Sequence, residues 1–142
     1  MPKFELFDRN EVMEKATNLF WVKGYEATSM NDLIQEIGIG KGSFYNSFGS
    51  KRKLFDSCLS MYREGGIQVI SQVLNSESDP VLGIRKFLAF QAENLLLDPY
   101  SKGCLLANTS AEMAHDKEIP DFLLENNQIL KSEIVEDRKS VV

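Results

Sequence analysis

Along the chain, apolar residues return at spacings of three and four, in blocks closed by glycine, proline or short polar residues, which is the signature of amphipathic helices. Val12, Ala16, Leu19 and Phe20 share one face of a helix expected from Asp8 to Lys23, with Asp8 as its cap and Gly24 as its end. Met30, Leu33, Ile34 and Ile37 form the next face. Ser29 precedes them as an N-cap, and Asp32 three residues on can return the bond in a capping box. Gly38 follows the last apolar residue, where a helix can end in a left-handed conformation. Ile39 plugs the turn, and Gly40 can cap a third helix. In that third segment Phe44 and Phe48 face one way, while Lys41 and Tyr45 lie on a neighbouring face.

From Lys51 to about Ser76 the pattern predicts one long helix, which Ser50 can cap. Leu54, Phe55, Cys58, Leu59 and Tyr62 make its first apolar face, and Val69, Ile70 and Val73 continue it. Gly65-Gly66 interrupts, as either a tolerated defect or a kink, each glycine costing roughly 1 kcal/mol relative to alanine. Asp79 and Pro80 open a helix reaching Leu97 that is apolar nearly all round and is therefore expected at the centre of its domain. A loop from Asp98 to Gly103, a helix from Cys104 to His115, and a last helix from Asp121 to about Lys139, opened by Pro120, complete the reading. The fold class is all-α: an N-terminal three-helix domain over residues 1–53, a helical domain over 54–142, and the helix 51–76 linking them.

Two short helices joined by a glycine-containing turn have the layout of a helix-turn-helix, in which one helix braces and the next enters the major groove of DNA. The third segment suits that role. Gly42, Ser43, Asn46 and Ser47 are small or hydrogen-bonding, so its backbone can come close to base edges. Lys41, Tyr45 and Asn46 are candidates for base or phosphate contacts, and Ser29, Asn31 and Lys51 for positioning the DNA backbone. The start of the helix at Lys51-Arg52-Lys53 offers unpaired N–H groups and positive charge to a phosphate. Overall the chain is acidic, with 16 basic and 21 acidic residues. Yet Met1–Glu64 carries nine of each, and Ile39–Phe55 holds four lysines and arginines and no acid. Positive charge thus collects where the motif needs it, and the acidic remainder limits indiscriminate binding.

Three stretches, Gly24–Met30, Ile37–Tyr45 and Phe48–Leu54, resemble the N-terminal domain of the TetR/AcrR family of transcriptional repressors. The resemblance is specific over Arg9–Leu59 and looser from Tyr62 onward. Family members usually have Thr at the position of Ser43, Leu at that of Phe44, and often His or an aromatic residue at that of Ser47, a difference that bears on which bases are read. The resemblance implies a one-component regulator: a homodimer on a palindromic double-stranded DNA operator, released by a small-molecule effector held in the second domain. It implies no cofactor. The stretch Gly103–Thr109 resembles one that helps line the effector pocket, which makes Phe87, Gln91, Cys104, Asn108 and Glu112 candidate effector contacts; a bland helix surface explains Asn108 and Glu112 equally well. The family also implies two further long helices that form most of the dimer interface. This sequence stops at Val142, so either it dimerises differently or it is a truncated product that keeps the DNA-binding fold without a working dimer.

Other chemistry is sparse. An enzyme would need a second histidine, a Cys–His pair or a Gly-rich phosphate loop, and none is evident. His115 is the single histidine, so it is read as a helix C-terminal cap and not as a metal ligand. Cys58 belongs to a core stripe. Cys104, beside Lys102 at a helix start, could sense oxidants or electrophiles, but a small buried pocket residue is the favoured reading. Trp21 is expected to pack in the core or at the domain junction, and Phe4 and Phe7 to pack against the first domain. With no signal-peptide pattern, no apolar run near the ~20 residues that span a membrane, and two thiols far apart in sequence, a cytoplasmic protein is expected.

Overall fold

Local capping chemistry sets most of the helix boundaries in the computed structural model, which describes residues 7–136. Helix α1 (Arg9–Lys23) starts where the Asp8 carboxylate accepts the N–H groups of Asn10 and Glu11, and ends at Gly24. Helix α2 (Met30–Ile37) carries the full capping box: Ser29 Oγ accepts the Asp32 N–H at 3.0 Å and Asp32 Oδ2 accepts the Ser29 N–H at 2.9 Å. Helix α3 spans Lys41–Phe48 and helix α4 Lys51–Asn75, with Ser50 Oγ accepting the Lys53 N–H at 3.1 Å. Helix α5 is Pro80–Leu97, capped by Asp79; α6 is Leu105–Glu112 and α7 is Ile119–Glu136. No strand occurs among the described residues. Phe4 and the expected helix end near Lys139 lie outside them.

The chain divides into two compact units, Met1–Tyr62 and Arg63–Val142. In the first, α1 to α3 and the start of α4 enclose a core built around Phe20, Leu33, Phe44, Leu54 and Phe55, all with about 1% exposure or less. Phe20 stands edge-on to Phe55 at 5.0 Å between ring centroids, and Tyr25 closes the cluster at 4.8 Å from Phe55. Burying side chains of this size stabilises by about 1.5–3 kcal/mol each. Cys58 is fully buried in the same core, and burial pushes its thiol up to about 11. Trp21 packs edge-on against Tyr62 at 5.0 Å, the structural role read from the sequence.

The second unit departs from expectation in several places. Its buried residues include Leu74, Leu105, Leu106, Met113 and Ile119, with Thr109 and Asn126 among them. On the later part of α4, Leu74 is buried while Val69 is exposed, so the face turns further than the expected Val69–Ile70–Val73 stripe. The helix runs unbroken through Gly65-Gly66, both open to space, which favours the tolerated defect. Arg63 lies over the Phe122 ring at 4.4 Å and pairs with Glu125 at 3.5 Å, fastening α4 to α7.

The largest correction concerns α5. Expected at the centre of its domain, it buries only Gly83. Apolarity on every side identifies a helix that lowers its free energy by being covered, but it carries no information on what covers it. Helix α6 is also shorter than read, from Leu105 to Glu112 instead of Cys104 to His115. The cause is Asp116, whose carboxylate accepts the N–H groups of Glu118 and Ile119 and starts α7 ahead of Pro120. The chain must leave the helical path to reach that cap, so His115 falls in a turn beyond α6 and does not cap it.

Candidate nucleic-acid interface

The turn between α2 and α3 depends on Gly38, which sits at φ 76° and ψ 22° and donates its N–H to Ile34 O at 2.9 Å. A side chain there would be strained by the left-handed backbone. The turn sets α3 so that Phe44 and Phe48, 0% and 6% exposed, point into the core. Lys41, Gly42, Ser43, Tyr45 and Asn46 all lie on the exposed side. Tyr45 is 43% exposed, with its ring edge-on to Phe44, which steadies it while leaving the phenol outside. Ser29 and Asn31 are exposed at the start of α2.

Contacts from Arg9, Phe7 and Lys23 hold this arrangement. Arg9 Nη1 donates to Ser47 O at 3.2 Å and its guanidinium lies 4.6 Å from the centre of the Phe48 ring, so the last turn of α3 is tied to the first residue of α1. Phe7 stacks on Phe48 at 6.2 Å between ring centroids, in keeping with the packing expected of it. Lys23 pairs with Asp32 at 2.9 Å, linking the end of α1 to the first turn of α2. The Ser29 backbone N–H, then Lys23, hold the Asp32 carboxyl at about 2, below its ordinary 3.8. The Arg9 contact escaped the sequence reading because its partners lie some 40 residues away and one of them is a main-chain carbonyl.

The basic cluster at the start of α4 is not uniform. Lys53 is exposed. Arg52 pairs with Asp56 at 2.9 Å. Lys51, read as a DNA-backbone contact, is half-buried and turned back onto the protein, donating to Tyr25 O at 3.0 Å and Thr28 O at 3.1 Å.

The effector candidates lie in the second unit. Phe87 is half-buried, while Gln91, Cys104, Asn108 and Glu112 are exposed. Asn108 Nδ2 donates to Lys102 O at 2.6 Å. The favoured reading of Cys104 as a buried residue is therefore corrected: it precedes α6, at the end of a loop folded on its own contacts. In that loop the Asp98 carboxylate accepts the N–H groups of Tyr100 and Lys102, which hold it below the usual carboxylate range, the Tyr100 N–H most strongly. Among the described residues, no group of three or more His, Cys, Asp or Glu could hold a metal ion. None of the described helices is long and apolar enough to cross a membrane.

Residues 12–58 match the TetR_N family, described as bacterial regulatory proteins, tetR family. An uncharacterized HTH-type transcriptional regulator of Bacillus subtilis (strain 168), YezE, is 33% identical over 118 residues, covering 82% of this chain and 60% of that protein. The HTH-type transcriptional repressor ComR of Escherichia coli (strain K12) is 28% identical, covering 79% of this chain and 54% of its own. The chain thus spans about half the length of the curated relatives it matches. Among solved structures, a cysteine mutant of the TetR family transcriptional regulator CifR, complexed with 26-bp double-strand operator DNA, superposes with a TM-score of 0.77 at 24% identity. That alignment covers 94% of this chain and 73% of the other, a likeness of fold.

Proposed function

We propose that this chain, which belongs to the tetR family of bacterial regulatory proteins through residues 12–58, is a DNA-binding transcriptional regulator and acts as a repressor. One observation carries the reading: in a helix-turn-helix of the matched family, α3 buries both phenylalanines and leaves Lys41, Gly42, Ser43, Tyr45 and Asn46 outside. Lys41, Tyr45 and Asn46 then meet base edges or phosphates, and Gly42 and Ser43 let the helix backbone approach. Ser29 and Asn31 set the register on the DNA backbone from the start of α2. A homodimer would place one α3 in each of two major grooves, half-sites about one helical turn (~34 Å) apart on a palindromic operator. The operator DNA bound by CifR and the repressor name of ComR support this reading.

Control by a small, largely apolar effector is the second part of the proposal. Its support is the exposed apolar surface of α5, with α6 contributing polar groups; Phe87, Gln91, Cys104, Asn108 and Glu112 are the proposed contacts. By linkage the effector binds the non-operator conformation better, and DNA weakens effector binding by the same factor.

Selection of duplexes from a random pool by the purified chain tests the first part. Tyr45→Ala is expected to weaken binding to the selected duplex about tenfold, the scale of one lost base contact, with thermal unfolding unchanged. Undiminished affinity would move the groove face elsewhere. Sedimentation at micromolar concentration tests the dimer, since a monomer retains the DNA-binding fold without the paired arrangement.

A further inference from the structure

Lys51 and Lys53 stand two residues apart at the start of α4 and do different things. Lys53 is exposed. The Lys51 ammonium lies 3.0 Å from Tyr25 O, 3.1 Å from Thr28 O and 4.2 Å from the centre of the Tyr25 ring. Two of its three donors thus engage main-chain carbonyls. Those carbonyls belong to the α1–α2 connection, which is itself anchored by Thr28: its side chain is fully buried and its hydroxyl donates to Gly24 O at 2.6 Å. The next residue is Ser29, the N-cap of α2. The ammonium therefore grips the segment that fixes where α2 begins, and the first turn of α2 carries the exposed Ser29 and Asn31.

We infer that Lys51 is a positioning residue. It locks the α1–α2 connection to the start of α4 and so holds Ser29 and Asn31 in place for DNA, instead of neutralising a phosphate itself. The functional half of this inference rests on the DNA-binding reading above. Hydrogen bonds from a charged donor are about twice as strong as neutral ones. Swinging the ammonium out to a phosphate would give up two of them together with the ring contact; Tyr25 O would keep the Thr28 N–H at 3.3 Å, and Thr28 O would lose the lysine donor. Lys53 is the residue placed to meet a phosphate.

The test uses the full chain, the duplex that the wild-type chain enriches from a random pool, and titrations across a series of salt concentrations. Lys51→Met is expected to lose at least tenfold in affinity while the slope of log K against log salt stays unchanged. Lys53→Met is expected to lower that slope by about 0.9, the signature of one phosphate contact. A fall of about 0.9 in Lys51→Met, or no loss of affinity, overturns the inference. Amide exchange without DNA gives an independent readout: the Asp32 and Leu33 amides should exchange at least tenfold faster in Lys51→Met while the interior of α1 is unaffected. Equal exchange overturns the lock. If Lys51→Met does not fold, Lys51→Gln, whose shorter amide reaches fewer of the carbonyls, carries both readouts. A wild-type chain that enriches no duplex overturns the regulator reading and the functional half of this one, while exchange still decides whether the lock exists.

Discussion

Helices α3 and α5 obey the same packing physics and end in opposite environments. α3 has eight residues, of which Phe44 and Phe48 are buried; Lys41, Gly42, Ser43, Tyr45 and Asn46 are exposed. α5 has eighteen residues, is apolar nearly all round, and buries one glycine. The difference lies in where the complementary surface comes from. The first unit supplies a destination for both phenylalanines of α3: Phe44 and Phe48 are buried in its core, and Phe48 meets Phe7 and Arg9. α5 offers apolar surface on most of its sides, and the described residues do not cover it: Leu95, Leu96 and Leu97 remain 62%, 84% and 78% exposed. A polar outer edge specifies orientation, whereas uniform apolarity specifies only a demand for burial.

Truncating one residue from each helix would break or confirm this contrast. Phe44→Ala is expected to destabilise the first unit by about 3–5 kcal/mol, combining lost transfer energy with a cavity in a packed core. Leu96→Ala, at an exposed position, should stay within about 0.5 kcal/mol. Denaturant unfolding of both variants supplies the comparison. If Leu96→Ala costs several kcal/mol, α5 is covered in solution and the two helices are alike after all.

How far the sequence revealed the structure follows the same division. The limits of α1 and α2 were legible because Asp8, Ser29, Asp32, Gly24 and Gly38 act through bonds to residues within a few positions. The outward face of α3 was legible because its two phenylalanines share one side. The inward turn of Lys51 was not, since a lysine at a helix start reads as a surface charge and its partners are carbonyls more than twenty residues back. The early end of α6 was missed because Asp116 competes for the chain as a cap, and the apolar pattern does not record that competition. Cys104 was misplaced by extending the helix pattern one residue too far into a loop closed by Asp98.

Two glycines sharpen the contrast at a smaller scale. Gly38 holds a left-handed turn on which the α2–α3 angle depends, so Gly38→Ala should destabilise by about 1 kcal/mol through backbone strain, despite open space around the new methyl. Gly65 lies inside α4 with ordinary backbone geometry and nothing within 4 Å, so Gly65→Ala should stabilise by up to about 1 kcal/mol. Thermal unfolding of the pair should therefore move in opposite directions. A loss of stability in Gly65→Ala would show that the glycine pair is needed for a bend in solution.

The smallest effect belongs to Asp32, and it alone has a pH signature. Its carboxyl is held at about 2, against an ordinary 3.8, by the Ser29 backbone N–H and by Lys23. A carboxylate favoured in the folded state contributes its full stabilisation above about pH 5 and loses it progressively as the pH falls through about 4 and 2, the last of it going below pH 2, where the folded-state group also becomes protonated. Asp32→Asn keeps the size of the side chain and removes its charge. The difference in melting temperature between wild type and variant should therefore be largest at pH 5 and shrink steadily down to pH 2. Other carboxylates titrate in the same range, but they do so in both proteins and cancel in the difference. A gap that stays constant across this range would mean that the capping geometry, and not the charge, fastens the end of α1 to the start of α2. The Lys23 contact would then add nothing to the rigidity of the first unit.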